Sequence, residues 1–415
     1  MRAAAPERTL LLHQLLPPGR RYVALPSRHR PIVVAEDRPA VLTYVREALL
    51  SVPPPLPTWL YPAARAALGV PAVRRCVPGL TVPVRDGGAA RDDGVDRLLA
   101  SSGPVLLLDH SHDPDARVVL LLFPPGSARP ALVVKVPAEP VGAAAVVREA
   151  ERLRAMTALP LDEVRPTVPT VVELLRHKGL PALVTTALPG LPMLVGYHRP
   201  GHHTRTGPVH ADFGAAAAWL AAFQSATAGE PAPLEIPARA PRPPDHRPDD
   251  DRARQQLHAL HRRLRRYAAP TTAVHGDFWA GNILLREGQV SGVVDWERAR
   301  TAGSPLADPA RFVVAYCEYL DRRTRPGHRV RGHPGLVAGE PGAALAYALD
   351  GTGWYPRLVR EFLAMVLRRL GLPLVCGRDA VLAELAAVAA EATDPEFAAS
   401  QLRAFLRLAS AEEAP

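Results

Sequence analysis

Ala273-Val274-His275-Gly276-Asp277-Phe278-Trp279-Ala280-Gly281-Asn282-Ile283-Leu284-Leu285 runs into Arg286-Glu287-Gly288-Gln289 and then into Val290 through Val293-Val294-Asp295-Trp296-Glu297. Apolar runs on both sides of the Glu287-Gly288 break predict a β-hairpin. Asn282 opens its first strand and Asp295 closes its second. Antiparallel pairing brings those two ends together, so two oxygen-bearing side chains thirteen positions apart become neighbours. Asp277 lies on the tight loop just before them.

Upstream, the runs 105–108 and 118–123 flank His110-Ser111-His112-Asp113-Pro114-Asp115, whose polar residues and proline predict a turn and hence a second hairpin. A third run, 131–136, sets Lys135 inside an otherwise apolar strand. A helical segment over 146–156 follows, carrying Glu149 and Glu151. The strand 182–186 leads into Ala187-Leu188-Pro189-Gly190, a connection between units. Downstream, 213–223 reads as an alanine-rich helix and 229–250 as a linker dense in Pro, Arg and Asp. Further helices are predicted from Asp250 or Asp251 to Tyr267, over 361–370 and over 379–408. The chain shows no internal repeat. A strand-rich part followed by a helix-rich part is the α+β order. The divisions expected are an N-terminal extension of unassigned role (1–100), a strand-rich unit (101–190) and a helical unit (191–415). Residues 1–100 carry proline punctuation, including Pro53-Pro54-Pro55, a Gly87-Gly88 break and no chemical motif.

With 415 residues, 47% hydrophobic and 22% charged, the chain is long enough for two or three packed units and is globular in composition. Its 46 prolines are scattered, as in a protein of biased composition rather than a polyproline rod. The net charge of +9 suits an anionic partner, a nucleotide among them. The basic groups at 261–266 and 322–325 are short, as on solvated helix faces, and no nucleic-acid module accompanies them, so no nucleic-acid partner is expected. Cys76, Cys317 and Cys376 lack metal-ligand spacing and are expected as free thiols in a reducing cytoplasm. No apolar stretch is long enough for a membrane span.

A carboxylate, an amide oxygen and a second carboxylate held together suit phosphoryl transfer, which needs a group to orient the incoming hydroxyl, metal ions on the phosphate oxygens and fixed positive charge. Hard oxygen ligands suit Mg²⁺, which keeps several waters. Lys135, neutralised by Glu149, is the candidate for the fixed charge, because a lone lysine among valines is costly to bury. Glu149, one step after Arg148, is favoured over Glu151 as its partner.

His275-x-Asp277-x-x-x-x-Asn282 has the spacing of the kinase catalytic loop. His-Gly-Asp, then Asn-Ile-Leu, then Val-Asp-Trp-Glu resembles the aminoglycoside phosphotransferase and choline kinase branch of the protein kinase-like superfamily. The resemblance runs in order from about 100 to 390 and is sharpest over 273–310. It implies a bilobal kinase-like fold and transfer of the γ-phosphate of ATP or GTP to a hydroxyl of a small molecule such as an aminoglycoside, another antibiotic, a sugar or an amino alcohol. It further implies Asp277 as catalytic base, Asn282 and Asp295 as Mg²⁺ ligands, and Lys135 on the α- and β-phosphates in pair with Glu149. Thr186 and Leu188 would offer backbone groups to the adenine ring. Asp308 resembles the family's aspartate that braces the catalytic loop, and His275 is expected to orient that loop. The sequence departs from the family in having no glycine between Pro104 and Pro125, and in reading Thr185-Thr186-Ala187 where an acidic residue is common. Ser111 is the candidate phosphate cap in place of a glycine loop. The alternative function is a nucleotide-binding regulatory protein that keeps the fold without catalysis. His198, His202, His203 and His210 lie among Pro, Gly, Arg and Thr without rigid ligand spacing, as an exposed loop rather than a metal site. Trp279 and Trp296 flank the loop as packing or substrate-facing aromatics. The acidic groupings open to a cationic acceptor are Asp249-Asp250-Asp251 and Glu318 with Asp321.

Overall fold

Val118, Leu120 and Leu122 point to one side of their strand and Val119 and Leu121 to the other, and such a run is stable only in a sheet covered on both faces. The computed structural model, which describes residues 14–25, 31–49, 65–66, 68–70, 79–82, 94–108, 116–235, 248–392 and 394–410, contains that sheet. Its eight strands are β1 (Arg21–Leu25), β2 (Val33–Glu36), β3 (Gly79–Thr81), β4 (Val105–Leu108), β5 (Arg117–Leu122), β6 (Leu132–Pro137), β7 (Val171–His177) and β8 (Leu180–Thr186). The order across the sheet is β3-β1-β2-β4-β5-β6-β8-β7, and every pairing is antiparallel. One face packs Val34, Leu107, Val118, Leu120, Val134 and Val184 under the helix Gly94–Ser101 through Val95 and Leu99. The other packs Val33, Ala35, Leu106 and Leu121 against Val41, Leu42 and Val45. The strands β4, β5, β6 and β8 fall on the predicted runs. The turn at 110–115, Ser111, Cys76, Pro53-Pro54-Pro55 and Gly87-Gly88 lie outside the described residues.

The chain divides into two compact units, the first formed by 1–154 with 167–198 and the second by 155–166 with 199–415. Residues 155–166, the end of the helix Ala143–Thr157 and the segment that follows it, therefore belong with the helical unit.

The second unit is helical: Thr206–Ala226, Pro248–Leu264, Ala307–Glu318, Ala343–Asp350, Trp354–Arg369, Val375–Glu391 and Pro395–Ser410. Thr206–Ala226 is apolar almost all round because it is central, and its Phe213 meets Phe312, Tyr316, Tyr355 and Phe362 edge-on. The region 379–408 is two helices, broken at Asp394-Pro395, since proline can open a helix but not continue one. The predicted hairpin is Ile283–Arg286 with Gln289–Val293, closed by Glu287 (φ 55°) and Gly288 (φ 79°). Two positive φ angles match the twist of a two-residue hairpin loop. Among the described residues no helix is long and apolar enough to cross a membrane.

Candidate active site

In the first unit, strand register decides which charges meet. Val119 pairs with Lys135 and Arg117 with Pro137, so Arg117 and Lys135 stand on one face of neighbouring strands, on a diagonal. The helix Ala143–Thr157 brings Glu149 between them. Lys135 Nζ lies 2.5 Å from Glu149 Oε1, and Arg117 Nη1 lies 2.8 Å from Glu149 Oε2. Glu149 is 2% exposed whereas Glu151 is on the solvent side, and helix phase alone separates them. Two cations thus share one buried carboxylate, which fixes both side chains on this face of the sheet. At the end of β8, Thr186 donates its backbone N–H to Thr170 O and Ala187 donates to Ala131 O. Pro189 has no N–H, so Leu188 carries the first amide of this connection that those bonds leave uncommitted.

In the second unit, one turn of the helix Ala307–Glu318 grips the loop. Asp308, 2% exposed, accepts the backbone N–H groups of His275 and Gly276 at 2.8 Å each. Burial pushes the Asp308 carboxyl up, and the two N–H donors work against that shift. His275 is fully buried. Its Nδ1 accepts the N–H of Asp277 at 3.2 Å, which assigns the ring hydrogen to Nε2, 2.9 Å from Val294 O. Gly276 has φ 82°, and a Cβ there would stand 2.5 Å from Arg298 O, so only glycine fits.

Asn282 and Asp295 are neighbours, as the hairpin predicts: Ile283 pairs with Val293, and Val294 N donates to Asn282 O at 2.9 Å. Asn282 Nδ2 donates to Asp277 O and to Asp277 Oδ2, both at 3.0 Å. Those bonds orient the amide and leave Oδ1 as its face toward a cation. Asp295 adopts the left-handed conformation (φ 64°, ψ 64°), which a non-glycine residue holds only where its surroundings impose it. The donor set is all oxygen, one amide and one carboxylate, and fits Mg²⁺ rather than a softer metal.

The flanking aromatics diverge. Trp296 is fully buried and bonds Val293 O through Nε1, while Trp279 stacks on Tyr319, whose ring also carries the Arg322 guanidinium 3.9 Å from its centroid. The histidine-rich segment differs from the exposed loop expected. His202 is buried because its Nε2 meets Asp212 Oδ2 at 2.9 Å, and Tyr316 donates to the same oxygen. His203 stacks on His333. No cluster of three or more His, Cys, Asp or Glu residues suited to a metal occurs among the described residues.

Three charged residues at these sites escaped the sequence reading: Arg117, Arg311 and Glu384. Arg311 donates to Asp277 Oδ1 from Nε (2.9 Å) and Nη2 (2.7 Å), and Glu384 Oε1 stands 3.9 Å from the same Nε. A lone arginine in Ala310-Arg311-Phe312-Val313-Val314 carries the signal that drew attention to Lys135, a charge in an apolar run. The larger cavity of about 740 Å³, lined by Glu235, His261, Arg265, Arg300 and Ser304 among others, contains none of the candidate residues. A groove of about 430 Å³ is lined by Glu318, Asp321, Arg322, Glu340 and Gln401.

No curated protein matches this chain. Solved structures give likenesses at low identity. A thermostable mutant of aminoglycoside phosphotransferase APH(4)-Ia, apo form, is 12% identical over 77% of this chain and 98% of its own, with a TM-score of 0.48. ADP-bound aminoglycoside phosphotransferase APH(2'')-Ib is 15% identical over 75% and 96%, with a TM-score of 0.40. The streptomycin-ATP-APH(2")-IIa ternary complex is 14% identical over 77% and 97%, with a TM-score of 0.40. The model of APH, described as the phosphotransferase enzyme family, matches residues 109–345. That span is more than half of the 415 residues and includes Lys135, Glu149 and the whole loop and hairpin from His275 to Asp308; the chain belongs to the APH phosphotransferase enzyme family.

Proposed function

We propose that this phosphotransferase moves the γ-phosphoryl group of ATP, or of GTP, to a hydroxyl of a small molecule. The contact between Asp277 Oδ2 and Asn282 Nδ2 carries the reading, because it joins the carboxylate that would receive a hydroxyl proton to the amide that would hold a metal. Asp277 orients the acceptor hydroxyl and takes its proton. Asn282 Oδ1 and the Asp295 carboxylate would hold Mg²⁺, which when bound neutralises charge on the phosphate oxygens. Lys135 holds the α- and β-phosphates, kept in place by Glu149, and the backbone at Thr186 and Leu188 receives the base. His275 and Asp308 set the loop. Cys317 and Cys376 are buried free thiols, which agrees with a reducing cytoplasm.

For the acceptor, the groove with Glu318 and Asp321 beside Arg322, and with Glu340 paired to Arg407, favours a hydroxylated cation, an amino sugar or an amino alcohol. Its Glu318 is coupled electrostatically to Arg311, which bonds Asp277, so groove and loop share one neighbourhood. The alternative, a nucleotide-binding regulator without catalysis, draws support from the absence of glycine between Pro104 and Pro125.

A coupled ADP-release assay of wild type and Asp277→Asn separates the two. Mg-ATP and Mg-GTP are offered with aminoglycosides, amino alcohols, macrolides and sugars. Acceptor-stimulated release that vanishes in the variant supports transfer and names the acceptor class. Nucleotide binding with no release by any acceptor favours the regulator, and undiminished release in Asp277→Asn rejects the role of Asp277.

A further inference from the structure

Consecutive residues of the loop are tied to a single helical turn. Asp308 takes the amides of His275 and Gly276, and Arg311, three positions further along and on the same helix face, takes the side chain of Asp277. The Arg311 contact is not a loose surface pair. Both partners are largely covered, with side-chain exposures of 17% for Arg311 and 19% for Asp277. Nε and Nη2 both reach Oδ1, while Asn282 Nδ2 holds Oδ2. The carboxylate is thereby held at both ends and cannot rotate about its terminal torsion without breaking a charge-assisted bond.

Behind the guanidinium stands Glu384 on the helix Val375–Glu391. Burial first, and then Glu391, Asp308 and Asp277, push the Glu384 carboxyl up to about 8, against the attraction of Arg311. Burial thus disfavours the charged form of Glu384, and both short bonds of the guanidinium go to Asp277. Glu318, also pushed up by burial, sits further along the Arg311 helix and accepts from Gln401 Nε2.

We infer that Arg311 is a positioning residue for phosphoryl transfer, holding the Asp277 carboxylate in the one orientation from which it can receive the acceptor hydroxyl. This rests on the reading of Asp277 given above. Arg311 acts through Asp277, so its loss is expected in kcat rather than in nucleotide KM.

The test uses the full chain with Mg-ATP, following acceptor-stimulated ADP release where an acceptor is found and unstimulated ATP hydrolysis otherwise. Arg311→Met is expected to lower kcat about 100-fold with nucleotide KM within about threefold of wild type, the cost of a carboxylate misplaced by an ångström. Arg311→Lys, which restores charge but not the planar fork, is expected to regain about tenfold of that loss. In Asp277→Asn, adding Arg311→Met is expected to change the residual rate by less than about threefold, since groups acting as a unit are non-additive. A kcat for Arg311→Met within about twofold of wild type, or a full second loss in the double variant, overturns the inference while leaving the kinase reading intact. Should Arg311→Met fail to fold, Arg311→Lys decides: an unchanged melting curve with lowered kcat supports positioning, and wild-type kcat overturns it. Wild-type protein that neither binds nor turns over nucleotide overturns the kinase reading and this inference together.

Discussion

Glu149 bonds two cations, and this asymmetry makes the cost of removing it differ from the cost of removing either partner. In Lys135→Met, Glu149 keeps Arg117 at 2.8 Å, and the new side chain fills the apolar volume of the old aliphatic stem. That change is expected to cost about 1–2 kcal/mol. In Glu149→Ala, Lys135 and Arg117 remain on one sheet face and both lose their bond to Glu149, and Lys135 is only 7% exposed. Removing the shared member of a buried ion pair costs about 3–5 kcal/mol, and here two cations lose that partner at once. For a unit of this size that corresponds to a fall in Tm of roughly 10 °C. Urea and thermal unfolding of the full chain, with wild type and both variants at one ionic strength, provide the comparison. Glu149→Gln, which keeps the shape and removes the charge, is expected to lie between them. The ranking Glu149→Ala below Glu149→Gln below Lys135→Met in stability is the signature of a shared carboxylate. Lys135→Met costing as much as Glu149→Ala would falsify it, since the pair would then be an isolated one in which Arg117 takes no part. Nucleotide affinity is expected to rank differently, with Lys135→Met losing most.

Gly276→Ala adds a Cβ 2.5 Å from Arg298 O at φ 82°, so a loss of about 2–4 kcal/mol with collapse of turnover is expected, measured by urea midpoint and ADP release; wild-type stability would show that the loop can relax. Glu384, at about 8 in the folded chain and about 4.3 unfolded, keeps a proton that the unfolded chain has lost. Its contribution to stability is therefore full at low pH and lost as pH rises through 8. Glu384→Gln, which cannot lose a proton, is expected to gain on wild type between pH 6 and 9 in urea unfolding, and a variant that falls behind wild type over that range would contradict the assignment. His333 lies among Tyr347, Trp354 and Tyr355, where burial lowers it to about 4. The unfolded chain takes up that proton first, so wild type is expected to lose stability relative to His333→Gln as pH falls from about 6.5 to 4, read from thermal melts; parallel curves would mean the ring is solvated.

Local pattern carried the sequence a long way in this protein. Apolar runs of strand length, a Glu-Gly break and the spacing from Asp277 to Asn282 to Asp295 are properties of neighbouring residues, so the hairpin and the oxygen-bearing side chains at its end were legible before any coordinates. The choice of Glu149 over Glu151 was legible too, though its physical basis is helix phase against a sheet. Arg117 was not, because its meeting with Glu149 depends on the register of β5 against β6 and on where the following helix lands. Nor was the contact of Arg311 with Asp277, or the place of Glu384 behind it. Those groups are 34 and 73 positions apart along the chain and meet only because two helices pack beside one loop. The strands at 21–25, 33–36 and 79–81 are short, and their order in the sheet is set by backbone hydrogen bonds to partners distant in sequence. Sequence alone thus determined the hairpin and the meeting of Asp277, Asn282 and Asp295 at its end, where the partners are local. Tertiary packing decided which distant charges hold that chemistry in place, since a buried charge accepts whichever counter-charge the fold delivers.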